Sequence, residues 1–343
     1  MSSVIEKPQP ATAQTPVLID RFGRQVNYLR ISVTDRCDLR CVYCMSEDMQ
    51  FVPRSRLLTL EEIVQVGAAF VNLGVSKLRI TGGEPLVRKN VMYVFDHLGG
   101  LPGLKDFTLT TNGTQLSRYA RDLRAAGVNR INISLDSLQP ERFKQITRTG
   151  ELAKVLDGIE AARDAGFDRI KLNSVVLKYK NHDEVLDLVA FARQKGLDIS
   201  FIEEMPLGIV NDHDRAYTYY SSDQILEDLR RHYTLTATTE STGGPSRYYR
   251  MSDSPTRIGF ISPHSHNFCS SCNRVRLTAE GRLLLCLGQE HSVDLRRIVR
   301  DTTSSREALS QAIIAAMAIK PKGHDFNLAE QPVIFRHMNH TGG

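Results

Sequence analysis

The chain has 343 residues, of which 41% are hydrophobic and 24% charged, and its formal net charge is +5. This length allows one large domain, or a large domain with a smaller one. The composition is typical of a soluble globular protein, and no apolar run approaches the ~20 residues that a membrane span needs. No block of basic residues indicates nucleic acid. We therefore expect a cytoplasmic protein with neither membrane nor nucleic-acid partners.

Residues 1–19 are predicted to form a disordered polar arm. This segment is rich in Pro, Ala, Thr and Gln, and it lacks the basic start and apolar middle of a signal peptide. It contains one acidic residue, Glu6, and no arginine, so we do not expect an organelle transit peptide either.

Short β-type runs alternate with helical segments between residues 28 and 205. The first helix is predicted from Thr59 to about Leu73, because Thr59-x-x-Glu62 forms a capping box and Gly74 follows the last apolar residue. Strand–helix repeats build a parallel sheet, and six of them are fewer than the eight of a closed barrel. The predicted fold is α/β, an incomplete (β/α)6 TIM-like barrel. Its strands are predicted at residues 29–34, 77–81, 106–110, 130–136, 169–176 and 198–205.

Five of these strands have one apolar and one polar face. In the first, Leu29 and Ile31 alternate with Arg30 and Ser32. Parallel strands are normally apolar on both faces, and burying an unpaired charge costs several kcal/mol. The polar faces therefore predict a wet inner cavity for an anionic ligand. An antiparallel sheet with one solvated face would give the same alternation, although the intervening helices argue against it. The other polar positions include Arg79, Thr108, Thr110, Asn132, Ser134, Lys171 and Asn173.

The strand–helix rhythm stops after about residue 206. A helical segment at 221–232 leads to "TTESTGGPS", residues 238–246, which we interpret as a linker or loop. Two β-runs, a hairpin-like "RVRLTAEGRLLLCLG" and a helix over about 304–318 follow. We divide the chain into the arm (1–19), a barrel domain (20–240), a smaller C-terminal domain (241–330) and a tail (331–343) that ends in Gly342-Gly343.

All six cysteines fall into two groups of three. The first group has the spacing C-x3-C-x2-C directly after the first strand, at the mouth of the predicted barrel, where active sites lie. Clustered cysteines in a cytosolic chain indicate metal binding or catalysis, and a four-iron cluster held by three thiolates keeps one iron open. A zinc site completed by a distant residue is the alternative. The groups are Cys37, Cys41 and Cys44, and Cys269, Cys272 and Cys286.

The second cysteine group admits two interpretations. His266 lies just upstream, as does His264, so a zinc site of three cysteines and His266 is as consistent with the spacing as an iron–sulfur cluster. Arg274 and Arg276 follow Cys272 on one face of a predicted strand, which favours phosphate binding. Solvent-facing arginines on a hairpin are the alternative.

The first cysteine group and "TGGEP", residues 81–85, together resemble the radical S-adenosylmethionine (SAM) superfamily. The resemblance implies that SAM binds the open iron through its amino and carboxylate groups. One electron from the cluster then gives a 5′-deoxyadenosyl radical. The glycine-rich segment of that superfamily meets the SAM amino group, and glycine permits close backbone approach.

From about residue 20 to the C-terminus, the sequence is similar to the GTP 3′,8-cyclase family of molybdenum cofactor (molybdopterin) biosynthesis. The resemblance implies a second [4Fe–4S] cluster, in the C-terminal domain, whose open iron binds the guanine of GTP. It also implies that the radical removes the 3′ hydrogen and that C3′ attacks C8, giving (8S)-3′,8-cyclo-7,8-dihydroguanosine 5′-triphosphate. The matching segments are both cysteine groups, "TGGEPL", "TTNG" (110–113), "ISLDSL" (133–138), "CNRVRLTAEG", "KPKGH" (320–324) and the terminal Gly-Gly.

The resemblance also implies a role for individual residues. Cys37, Cys41 and Cys44 would hold the first cluster and act with Arg274 and Arg276 in catalysis, and Cys269, Cys272 and Cys286 would hold the second. SAM would contact Tyr43, Gly83, Ser134 and Met205. GTP would contact Arg30, Arg79, Thr110, Lys171, Arg274, Val275 and Arg276.

The same resemblance implies partners. These are GTP, an external one-electron donor of the flavodoxin or ferredoxin type, and a downstream cyclic pyranopterin monophosphate synthase. The sequence leaves the oligomeric state open, a homodimer included. Two other hypotheses remain: a radical SAM enzyme with a different substrate, and a binding module with structural zinc over 264–286.

Overall fold

The computed structural model describes most of the chain. Leu18 is buried and Ile19 pairs with Gln25, so residues 17–19 belong to the fold, whereas residues 1–16 of the predicted arm lie outside the described part. Residues 331–335 and Gly343 of the predicted tail also lie outside it. The described residues are 17–208, 210, 213–303, 305–324, 326 and 336–342.

One continuous sheet organises the described residues. Its strand order is β12-β11-β10-β1-β2-β3-β4-β5-β6-β9-β8-β7, and the strands from β10 through β9 in this order are all parallel. The strands are β1 (Tyr28–Ser32), β2 (Lys77–Thr81), β3 (Asp106–Thr111), β4 (Arg130–Ser134), β5 (Arg169–Val175), β6 (Asp198–Ile202), β7 (Leu235–Ala237), β8 (Arg247–Met251), β9 (Ser254–Ile261), β10 (Arg274–Leu277), β11 (Arg282–Leu284) and β12 (Ser292–Asp294).

The six predicted strands are all present, and the sheet ends at β12 and β7 without closing. This confirms the incomplete (β/α)6 barrel. The fourth and sixth strands are shorter than predicted, since they end at Ser134 and Ile202. Just past these ends, one backbone hydrogen bond still reaches each neighbouring strand, from Leu135 N to Asn173 O and from Glu203 N to Ile261 O. The side chains of Asp136 and Glu203 then accept hydrogen bonds from the backbone amides of Val175 and Ser222.

The C-terminal region extends this sheet at both ends. Strand β10 pairs with β1, and β9 pairs with β6. The irregular segment 238–246 crosses the start of the barrel strands, where the Thr242 carbonyl accepts hydrogen bonds from Lys77 Nζ and Arg130 Nη2. Strands β7 and β8, on either side of that segment, pair with each other. The division at residue 240 stays a prediction.

The helices between the barrel strands cover the apolar outer face of the sheet. Leu29, Ile31 and Leu78 are fully buried there, as the alternation predicts. No described helix has the length and apolar character to span a membrane. The helices are α1 (Leu60–Asn72), α2 (Met92–Leu98), α3 (Leu116–Ala125), α4 (Pro140–Thr147), α5 (Leu152–Asp164), α6 (Val185–Lys195), α7 (Arg215–Thr218), α8 (Ser222–Arg230), α9 (Leu295–Arg300), α10 (Arg306–Met317) and α11 (Met338–Thr341).

Helix α1 begins with the predicted capping box. The Glu62 amide donates to Thr59 Oγ1 at 3.1 Å, and the Thr59 amide donates to Glu62 Oε2 at 2.7 Å. Replacing Thr59 with Ala removes an acceptor for the first turn, which should cost about 1 kcal/mol of folding free energy. We expect a fall of about 2 °C in the thermal midpoint of the anaerobic protein. Thr59→Ser keeps the acceptor and should keep the midpoint; an unchanged midpoint in Thr59→Ala would contradict the cap.

Candidate active site

The first cysteine group lies on a loop that directly follows β1. The loop is fixed by backbone hydrogen bonds to the end of α4: Arg40 N donates to Thr147 O, and Val42 N to Ile146 O, both at 2.9 Å. A turn, in which Cys44 N donates to Cys41 O at 2.9 Å, brings these cysteines together. All three thiols line one cavity at the mouth of the barrel. Burial raises the pKa of each thiol, and nearby carboxylates raise those of Cys37 and Cys41 further.

The glycines of "TGGEP" pack directly against this cysteine loop. Gly83 N donates to Thr34 O at 2.7 Å, and Glu84 N donates to Arg36 O at 2.8 Å. A Cβ on Gly83 would overlap the carbonyl oxygen of Arg36. Glycine is therefore required at position 83 because its backbone packs against the backbone of the cysteine loop. The contact of Gly83 with SAM stays a prediction.

The four residues predicted to contact SAM all line the first cavity, namely Tyr43, Gly83, Ser134 and Met205. Tyr43 is held in place by its hydroxyl, which donates to Asp136 Oδ2 at 2.7 Å. Burial raises the pKa of Asp136 to about 6, although its hydrogen bonds from Tyr43 and Val175 oppose the shift. Strand alternation predicts Asp136 on the polar, inward face of the fourth strand, but its partner Tyr43 could not be predicted from the sequence.

Glu84 and Asn112 connect the motif segments to the cysteine loop. The buried Glu84 carboxylate accepts hydrogen bonds from Asn112 N, Leu86 N and Thr111 Oγ1, and burial raises its pKa to about 8. Asn112 Nδ2 donates to Asp38 Oδ1 at 2.7 Å and lies 3.7 Å from Cys37 Sγ. Glu84 lies in "TGGEP" and Asn112 in "TTNG", but neither was predicted as a site residue.

The second cysteine group lines a second cavity together with basic residues from the barrel. Asn173, Ile202 and Met205 line both cavities, so the two adjoin at β5 and β6. Asn173 Oδ1 is buried at this junction and has no hydrogen-bond partner among the described residues. The cysteines and cations of the second cavity are Cys269, Cys272, Cys286, Arg30, Arg79, Lys171, Arg274 and Arg276.

Strand register places three arginines side by side. Arg30 on β1 is aligned with Arg276 on β10 and with Arg79 on β2. Burial and then the charge of Arg276 hold the pKa of Arg30 well below its usual range. Burial and Arg274 lower the pKa of Arg276 to about 9. Burying several like charges together is costly, and a bound anion offsets that cost.

The nearest carboxylates pair with other cations. Asp106 pairs with Lys77 and Arg130, and Asp198 pairs with Arg257. Within the described part of the chain, no carboxylate oxygen lies within 4 Å of the guanidinium of Arg79 or Arg276. The arrangement suits a polyanionic ligand, to which arginine binds through paired N–H groups.

Tyr28 is a buried phenol among these cations. It is aligned with Arg274 on β10 and Lys77 on β2, and Lys77 Nζ lies 4.8 Å from the ring centre. Although burial opposes the shift, the charges of Arg79 and Arg30 lower the pKa of Tyr28 to about 7. The sequence analysis missed Tyr28 because its first strand began at residue 29.

Two of the residues predicted to contact GTP, Thr110 and Val275, do not line the second cavity. Thr110 lines the first cavity and accepts a hydrogen bond from Arg79 Nη1 at 3.3 Å. Val275 is buried in the hydrophobic core. Their contacts with GTP stay predictions.

The two histidines upstream of the second cysteine group have other partners. His266 Nε2 lies 2.9 Å from Asp223 Oδ1, and His264 Nε2 lies 2.9 Å from the Glu204 carbonyl oxygen. Neither ring lines the second cavity with the cysteines. Around Cys272, burial is outweighed by the positive charges of Lys320 and Arg274, which lower the pKa of the thiol.

The described end of the chain reaches the site. Met338 and Asn339 line the first cavity, and Asn339 Nδ2 donates to Asp35 O at 2.9 Å. Arg276 Nη1 donates to Gly342 O at 2.6 Å, so the tail contacts the arginine row as well. Gly342 has a positive φ of 72°, and a Cβ there would overlap Thr81. Gly343 lies outside the described residues.

Each cysteine group fits an iron–sulfur cluster with one open position. Among the described residues, no three His, Cys, Asp or Glu side chains are close enough to hold a single metal ion. The three thiols of the first group line the first cavity, and those of the second group line the second cavity beside His324. Three thiolates are a suitable set of protein ligands for a four-iron cluster that keeps one iron open.

Two family models match the chain. The model of the Radical SAM superfamily matches residues 31–192, and that of Molybdenum Cofactor Synthesis C matches residues 197–326. A GTP 3′,8-cyclase of Marinobacter nauticus is 59% identical over 95% of this chain and 98% of that protein. The chain belongs to the GTP 3′,8-cyclase family. Another member, from Pseudomonas fluorescens, is 59% identical over 95% of this chain and 99% of that protein.

Membership of the GTP 3′,8-cyclase family agrees with the fold. SuiB of Streptococcus suis, in its structure bound to S-adenosylmethionine, has a TM-score of 0.59 and covers 93% of this chain and 79% of that one. Its sequence identity is 13%, so this likeness supports the barrel and the added C-terminal region only as a fold.

The packing of Gly83 gives a testable consequence. In Gly83→Ala the new methyl group must displace the Arg36 carbonyl, and with it the cysteine loop. We expect the first cluster to bind iron at least about tenfold more weakly, measured as iron retained after anaerobic reconstitution and chelation. Gly100→Ala is the matched control, since a Cβ there meets no atom within 4 Å. Equal iron retention in both variants would contradict this packing role.

Proposed function

We propose that this chain converts GTP to (8S)-3′,8-cyclo-7,8-dihydroguanosine 5′-triphosphate, with SAM in the first cavity and GTP in the second. The observation that carries the proposal is the arginine row, Arg276, Arg30 and Arg79, beside the second cysteine group and next to the SAM cavity. A triphosphate would supply negative charge to Arg79 and Arg276, whose guanidinium groups have no carboxylate within 4 Å among the described residues. The junction at Asn173 and Met205 would bring the ribose of GTP toward SAM.

The protein residues bind, orient and exclude water. Bound at the first cysteine group, a [4Fe–4S] cluster supplies the electron that cleaves SAM reductively. The burial of the cysteine loop, the Tyr43–Asp136 hydrogen bond and the "TGGEP" packing keep the SAM cavity rigid, which positional catalysis needs. Arg30, Arg79, Lys171, Arg274 and Arg276 would hold the triphosphate, so that the 3′ carbon faces the first cavity.

We also propose that the second cysteine group holds a second [4Fe–4S] cluster, rather than zinc. The support is that His266, the histidine of the alternative Cys3His site, does not line the second cavity, and its Nε2 is hydrogen-bonded to Asp223. His324 does line that cavity, and the metal count below separates the two interpretations. An open iron could then bind the guanine base, as the family resemblance implies.

Partners follow from the chemistry of the proposed reaction. Reductive SAM cleavage requires an external one-electron donor, of the flavodoxin or ferredoxin type. The cyclic product requires a downstream enzyme, the cyclic pyranopterin monophosphate synthase. Six free cysteines suit a reducing compartment, so we propose that the protein is cytoplasmic. We also propose a homodimer, which analytical sedimentation would test.

A metal count tests the two-cluster proposal. Anaerobically reconstituted protein should contain about eight irons and about eight sulfides per chain, because two four-iron clusters are held. The measurement is iron, zinc and acid-labile sulfide on one sample. One zinc per chain, with iron and sulfide near four, would contradict the second cluster and favour structural zinc.

Transfer of deuterium from GTP to 5′-deoxyadenosine tests whether GTP is the substrate. Reduced protein incubated with SAM and GTP deuterated at C3′ should produce deuterated 5′-deoxyadenosine, because the 3′ hydrogen is the one abstracted. Mass spectrometry of 5′-deoxyadenosine gives the result. Cys41→Ala is the control, since it should form no 5′-deoxyadenosine at all. Unlabelled 5′-deoxyadenosine from the unmodified chain would favour a radical SAM enzyme with a different substrate.

A further inference from the structure

Lys320 is a buried lysine in the "KPKGH" segment, to which the proposed reaction gives no role. It follows α10, and only 1% of its surface is exposed. A buried ammonium group must be compensated by hydrogen bonds or negative charge. The contacts of Lys320 therefore indicate what it serves.

The ammonium group of Lys320 joins the two chain segments that carry Cys272 and Cys286. Lys320 Nζ donates to the Leu285 carbonyl at 2.7 Å and to the Arg274 carbonyl at 3.0 Å, and it lies 3.7 Å from Cys272 Sγ. Leu285 immediately precedes Cys286, and Arg274 lies two residues after Cys272. One side chain thus fixes the spacing of two thiols whose cysteines are separated by 13 residues in the sequence.

The residues after Lys320 contact the third cysteine. A Cβ on Gly323 would lie 3.3 Å from Cys269 Sγ, so the backbone of this segment packs against that side chain. Arg24 Nη1 donates to the carbonyls of Cys269 and Lys322, both at 2.7 Å, and ties the two segments together. The segment 320–323 therefore contacts the surroundings of all three thiols.

The acceptors of Lys320 lack a carboxylate. In the part of the chain that the structure describes, the hydrogen bonds of Nζ go to two carbonyls and one sulfur. Hydrogen bonds and net charge beside cluster sulfurs set the reduction potential of an iron–sulfur cluster. A fixed positive charge at 3.7 Å from one sulfur stabilises the reduced, more negative state.

We propose that Lys320 is the positioning residue of the second cysteine centre: it holds Cys272 and Cys286 at cluster spacing and raises the reduction potential of the bound cluster. This inference rests on the proposed second [4Fe–4S] cluster. It makes the "KPKGH" segment part of the redox site, although Lys320 does not line the cavity that would hold GTP.

The test compares Lys320→Met with Lys322→Met in the full-length, reconstituted protein. Lys322 lies two residues away in the same segment and is exposed, so it is a matched control. In Lys320→Met we expect the second cluster to lose iron to a chelator about tenfold faster and to titrate at a more negative potential. In Lys320→Met the first cluster should keep its iron and its potential, and in Lys322→Met both clusters should keep theirs. EPR-monitored reductive titration gives the potential, and Cys37→Ala/Cys41→Ala/Cys44→Ala as a background isolates the second signal.

A second variant covers the case in which Lys320→Met does not fold. Lys320→Gln keeps a donor for the carbonyls and removes the charge, so it should retain the cluster and still shift its potential downward. If a variant keeps both clusters and the reduction potential of the second cluster is unchanged, the proposed role of Lys320 is wrong, while the proposed second cluster stands. An unmodified chain with four irons and no second EPR signal would overturn the proposed second cluster, and this inference with it.

Discussion

Repulsion within the arginine row is the constraint on which the site depends. Parallel pairing aligns Arg276, Arg30 and Arg79 on three adjacent strands, and their side chains enter one cavity. Burying like charges at this spacing costs free energy, which a bound anion offsets. Sheet register, which normally stabilises a fold, here also sets the geometry of a cationic surface. The proposed triphosphate site therefore has the same origin as the barrel itself, namely the pairing of these strands.

The two cysteine centres lie in opposite electrostatic surroundings. Carboxylates, among them Asp38 and Asp136, lie near the first, whereas Lys320 and Arg274 lie beside the second. Negative charge beside a bound cluster opposes its reduction, and positive charge favours it. With a cluster in each centre, as proposed, the first would have the lower reduction potential and would be the stronger electron donor, which reductive SAM cleavage requires.

Local patterns predicted much of the barrel and part of the site. Alternation along a strand has a period of two, so Arg30, Arg79 and Lys171 could be assigned to the inner face from neighbouring residues alone. The pairing of β10 with β1 could not, because it joins segments about 245 residues apart, and only this pairing sets Arg276 beside Arg30. Lys320 was missed for another reason: lysine is rarely buried, so its burial runs against the expectation from residue type.

The C-terminal region pairs with both ends of the six-stranded barrel sheet, through β9 and β10. During synthesis the N-terminal two-thirds of the chain would leave the ribosome with β1 and β6 as bare edges, which are prone to aggregate. The chamber is completed only when the last strands are added. Until β10 pairs with β1, Arg276 and the second cysteine group are missing from the second cavity, so the proposed nucleotide site cannot form before the C-terminal region is synthesised.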